Sequence, residues 1–144
     1  MTTATTTELD VLGALLAFDF IGFAQKSAAL DPADARYGQA VGCAFGLAAR
    51  RRFPRGAHPE EVRAYVARFL GSLEAGAEDF DAAVLEALIF AGLDGDGGRG
   101  PGLADPEQTM QARLVLTLRW VRELELGPEE QRELLAQAGR RVAV

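Results

Sequence analysis

The placement of proline constrains this chain more than any other feature of its sequence. Pro32, Pro59, Pro106 and Pro128 each follow a turn or capping residue (Asp31, His58, Asp105, Gly127) and lead into acidic residues, then into apolar positions at helical spacing. Proline suits the first position of a helix because the amide it lacks would have no partner there, and carboxylates in that turn meet the positive end of the helix dipole. Pro54 and Pro101 fall between the segments, so no helix needs an interior proline.

The punctuation predicts helices near 8–27, 32–52, 59–75, 80–93, 106–125 and 128–141. In the third, Val62, Tyr65, Val66, Phe69 and Leu73 form one stripe with Glu60, Glu61, Arg63 and Arg68 off it. The fourth offers Phe80, Val84, Leu88 and Ile89, the fifth Met110, Leu114, Leu118, Val121 and Leu124, and the last Leu134, Leu135 and Ala138. No stretch reads as a strand, and no repeat of solenoid length is present. The expected fold is therefore all-α, a single-domain bundle of five to six helices over residues 8–144, preceded by a threonine-rich disordered tail at 1–7. Most connections are short; the exception is the flexible segment 92–102, with six glycines in eleven residues.

Hydrophobic residues make up 49% and charged residues 25% of the chain, a globular balance outside the range of disordered sequences. The formal charge of −6 argues against nucleic acid as a partner, since that affinity depends on cations displacing counterions from phosphates. The run from Val11 to Ala24 is too short to span a bilayer, follows Glu8 and Asp10 rather than a basic residue, and contains Asp19. It reads as a core helix, with no membrane partner expected. The single cysteine, Cys43, excludes an internal disulfide and suits a cytoplasmic protein. Fourteen arginines to one lysine, and no asparagine, fit a GC-rich bacterial coding sequence.

Four features stand out from this background. Gly38, Gly42 and Gly46 recur along one face of the second helix. Each costs about 1 kcal/mol of helix propensity relative to alanine, which close packing must offset. That packing is against a helix of the same chain, across a homodimer seam, or around a ligand in a side-chain-free groove. Asp19 is the only charge between Val11 and Gln25. It marks a solvent edge, a buried pair with an arginine, or a ligand contact beside that groove. Arg50, Arg51, Arg52 and Arg55 form a basic patch where the helix dipole alone favours cations, while the segment from Glu78 to Asp96 carries six negative charges and no positive one. Trp120, among Arg113, Arg119 and Arg122, is either a residue at the core edge or an interface anchor.

The search for chemistry is negative. His58, the one histidine, precedes Pro59 as a cap or turn residue, and Cys43 lies beside the glycine ladder where a buried thiol is expected. Asp94 to Asp105 imitates a calcium loop until Gly98 and Arg99 fall on positions that need an oxygen ligand and a glycine. No nucleophile elbow, phosphate loop, dinucleotide fingerprint or zinc spacing is present. No catalytic residue, metal or cofactor is expected. The residues read as a non-enzymatic protein–protein interaction module, a small regulatory, adaptor or assembly subunit that pairs with itself as a homodimer. The alternative is a small-molecule-binding helical domain using the groove beside Gly38, Gly42 and Gly46.

Overall fold

The computed structural model describes residues 6–28, 35–73, 80–93 and 106–142, and the side chains of most of them. These form seven helices: α1 (Thr6–Leu16), α2 (Phe20–Ala28), α3 (Ala35–Arg52), α4 (Pro59–Ser72), α5 (Ala82–Leu93), α6 (Pro106–Glu123) and α7 (Pro128–Val142). The chain is thus an all-α bundle. Pro59, Pro106 and Pro128 each occupy the first position of a helix, as the sequence predicts. Pro32, the calcium-like segment 94–105, most of the glycine-rich segment and residues 1–5 lie outside the described residues. Thr6 and Thr7, expected in the tail, already belong to α1, and Gly92 belongs to the last turn of α5.

The main departure is the first predicted helix, which is two. The Phe18 amide donates to Leu15 O at 2.9 Å, the Asp19 amide reaches back to Ala14 O at 2.8 Å, and Phe18 sits at φ 62°. Together these make a Schellman stop with a phenylalanine where glycine is usual. Asp19 then opens α2: its Oδ1 accepts the Gly22 amide at 2.9 Å, and its carbonyl accepts Phe23 N–H at 2.8 Å. In a run of leucine, phenylalanine and isoleucine, Asp19 is the one side chain able to satisfy a free helix-start amide, so the chain turns there.

Helix α3 is the hub, packing against α1, α5, α6 and α7. Its C-terminal half supplies Phe45, Ala48 and Ala49, with Phe53 just beyond it, to a core completed by α4, α5 and α6; residues nearer its start, Ala40, Val41 and Ala44, join a second core with α1, α6 and α7. A helix enclosed on several sides must be thin, and eight of the 18 residues of α3 are glycine or alanine. Helix α6 bridges both cores through adjacent residues, Trp120 in one and Val121 in the other. Its buried side is therefore wider than the stripe read from sequence: Ala112, Leu116, Thr117 and Trp120 are buried with Val121, whereas Met110, Leu114, Leu118 and Leu124 are only half-buried.

Candidate interaction surface

The glycine ladder, Trp120, the basic patch and Asp19 all fall within the described residues. Gly42 and Gly46 are buried and Gly38 is half-buried. A side chain at Gly38 would lie 3.7 Å from Met110 of α6, so the ladder faces other helices of its own chain there. A second chain or a ligand reaches the buried glycines only if the bundle opens. Helix α5 approaches α3 through Gly92, where the predicted fourth helix and the glycine-rich segment overlap: a β-carbon there would stand 3.0 Å from Phe45 and 3.4 Å from Ala49.

Trp120 is fully buried, not at the core edge. Its ring centroid lies 5.3 Å from Phe45 and 6.4 Å from both Phe53 and Tyr65. An aromatic enclosed in this way holds the fold together and is not presented to a partner. Its indole N–H lies beside the Tyr65 hydroxyl without reaching hydrogen-bond geometry.

The basic patch is divided in the structure. Arg52 donates through Nε to Glu123 Oε1 at 2.9 Å, and its guanidinium stands 5.0 Å from the ring centroids of both Phe53 and Tyr65. Arg50 and Arg51 are half-buried and Arg55 is exposed. Tyr65, on α4, donates its hydroxyl to Glu123 Oε2 at 2.8 Å. Burial first, then the hydrogen bond to Glu123 and its negative charge, push the phenol's pKa well above its ordinary value, with Trp120 and Arg52 opposing less strongly. Both Glu123 oxygens are thereby occupied. This cluster ties the C-terminal ends of α3 and α6 to the middle of α4.

His58 is exposed at the cap position of α4, where its side chain makes no capping hydrogen bond; Cys43 is half-buried on α3. Among the described residues, no three His, Cys, Asp or Glu side chains are grouped to hold a metal ion, and no helix is long and apolar enough to cross a membrane.

Sequence reasoning missed the surface that stands out. Among the described residues, Phe18, Phe20 and Ile21 are the large hydrophobic residues left exposed, at 42%, 55% and 76%. They adjoin at the α1–α2 corner, where the Phe18 and Phe20 rings meet edge to face at 6.1 Å. Among the described residues, helix α2 packs chiefly against α1, and its Gly22 and Phe23 are half-buried. Its outward side carries Phe20, Ile21, Ala24 and Ala28, all exposed and none charged. Gln25 and Lys26 are exposed as well, so α2 shows water its polar residues together with this apolar stripe. Asp19, beside this patch, is exposed and spent on capping. The available signal was Asp19 itself: as a helix cap it splits the apolar run and leaves Phe20 and Ile21 in the first turn of a new helix.

Comparison with protein-family models, with curated proteins and with solved structures returns no match, so the functional reading rests on this chain's own residues.

Proposed function

We propose that this protein is a non-enzymatic helical interaction module, a small regulatory, adaptor or assembly subunit, that docks on protein through the outward side of α2. One observation carries this reading: three large apolar side chains, two of them at least half exposed, share a corner with no charged residue on the outer stripe. Scattered exposed hydrophobics are ordinary, but contiguous ones on a helix held mainly by one neighbour are characteristic of binding surfaces. The Tyr65–Glu123–Arg52 cluster supports the non-enzymatic part of the reading. Its carboxylate is already paired on both oxygens, and its phenol holds its proton far above neutral pH, so neither is poised for proton transfer at pH 7.

The test is affinity capture by the immobilised full-length chain beside its Ile21→Glu variant. Ile21 is 76% exposed, so the variant keeps its core. A protein retained by the wild type and lost by the variant supports docking through α2. Equal retention by both, or none by either together with a monomeric wild type, removes it.

A further inference from the structure

We propose that Arg113 anchors a binding site for a small oxyanion, a phosphate or carboxylate group, in the seam between α3 and α6, separate from the α2 surface. Leu116, Thr117 and Trp120, all buried, follow Arg113 at three, four and seven positions, so Arg113 continues the side of α6 that is turned into the bundle. Met110, one turn before it, stands 3.7 Å from where a β-carbon on Gly38 of α3 would lie. That position suits an apolar side chain, and an arginine occupies it. Room is available at this level of the seam. Gly38 is half-buried, and among the described residues the flexible end of Met110 is the one atom within 4 Å of its missing side chain.

The placement leaves a charge uncompensated. Arg113 is half-buried, and its Nε is sealed from water with no hydrogen-bond partner. Among the described residues no carboxylate pairs with it: Glu86 faces Arg63, Glu123 holds Arg52 and Tyr65, and Asp19 and Asp81 cap helices. Arginine keeps its proton in proteins, so the cost of burial cannot be shed by neutralisation. The same desolvation pulls its pKa below the ordinary arginine value. Two other arginines show the contrast. Arg50 also has a sealed Nε, but it lies in the last turn of α3, where the negative end of the helix dipole meets it. Arg119, on α6 itself, spreads its guanidinium over the Phe69 ring and has no sealed nitrogen without a partner. Arg113 has neither compensation. Its terminal nitrogens are not sealed, so an oxyanion arriving from solvent can accept from both, the two-point geometry a guanidinium offers to carboxylate and phosphate.

Thermal melts at fixed ionic strength test this, in chloride and with chloride exchanged for inorganic phosphate or acetate, on the full chain and on Arg113→Met, which keeps an unbranched stem and removes the charge. For an oxyanion held by one guanidinium, with a dissociation constant on the order of 1 mM, about 20 mM ligand raises the wild-type melting temperature by about 5 °C. In chloride the variant should melt above the wild type by roughly 3 °C, because a buried charge without a partner gives way to an apolar side chain, and it should not respond to either anion. The Arg113 Nε–H resonance of the wild type, identified by its absence from the variant, should move saturably in the same titrations. A response to phosphate alone assigns a phosphate-bearing ligand, to acetate alone a carboxylate-bearing one, and to both the shared oxyanion chemistry. A variant that melts at or below the wild type in chloride overturns the proposal, since the guanidinium is then paired by the chain itself. An equal rise in both proteins, or a resonance that neither anion moves, overturns it as well.

Discussion

Replacing Tyr65 with phenylalanine should change the stability of this protein by an amount that vanishes at high pH. At neutral pH the substitution removes a 2.8 Å hydrogen bond from a buried phenol to the Glu123 carboxylate and leaves the ring in place. Hydrogen bonds to charged groups contribute about 1.5–3 kcal/mol. Glu123 is 32% exposed and still paired with Arg52, so water can replace the lost donor. The net cost is therefore at or just below the low end, about 1 kcal/mol, or roughly 3 °C in melting temperature for a chain of this size.

Alkali works in the opposite direction. The Tyr65 phenol has its pKa raised in the native state by burial and by Glu123, so above pH 10 the native state keeps a proton that the unfolded chain releases. This contribution to stability is fully present below the unfolded pKa and is lost as the pH rises toward the native one. At pH 11 the wild type has given up about 1.4 kcal/mol through this one group, which phenylalanine cannot lose. The variant should thus be less stable by about 1 kcal/mol at pH 7 to 9 and equal to the wild type near pH 11. Tyr37, pushed up to about 12 by burial, titrates in both proteins and cancels from the comparison. Denaturant unfolding followed by fluorescence of Trp120, the sole tryptophan and fully buried, measures the gap at each pH. A gap that stays constant from pH 8 to pH 11 would refute the buried, Glu123-bound phenol.

Three further outcomes follow from the backbone and the packing. Glu125 sits at φ 53° after α6, with Leu126 N–H donating to Val121 O at 3.0 Å in a second Schellman stop; Glu125→Gly should raise stability by about 1 kcal/mol in thermal melts. Gly92→Val should lower it by about 1–3 kcal/mol in urea titration, because Phe45, 1% exposed and stacked on Trp120, has no room to yield. An unchanged midpoint would show that α5 and α3 separate freely. Asp19→Ala should cost about 1 kcal/mol of capping energy confined to α2. Hydrogen exchange should therefore accelerate over residues 20–28 while α4 keeps its protection, and uniform loss across both helices would contradict a local role.

Much of this architecture was legible in the sequence because it depends on residues a few positions apart. The starts at Pro59, Pro106 and Pro128 follow from the missing amide of proline, and the burial of Val62, Tyr65, Val66 and Phe69 follows from their spacing on one side of α4. The small residues of α3 announced a close neighbour without identifying it. The α2 surface was hidden by the same local logic: Leu15, Leu16, Phe18 and Phe20 read as one continuous apolar helix, and the residue that ends it at positive φ is Phe18, not one of the nearby glycines, Gly13 and Gly22.

Contacts between distant residues settled the rest. Glu123 and Tyr65 are 58 positions apart, and Arg52 and Glu123 are 71, so no periodicity relates them. Trp120, flanked by arginines in sequence, was drawn inward because Phe45, Phe53 and Tyr65 converge on it from two other helices. By itself the sequence determined that the chain is helical and where three of its helices begin, since proline geometry and helical spacing act within a turn or two. Only the tertiary structure decided which apolar residues find cover, because burial depends on what the rest of the chain brings alongside. It encloses Trp120 and leaves Phe18, Phe20 and Ile21 facing water.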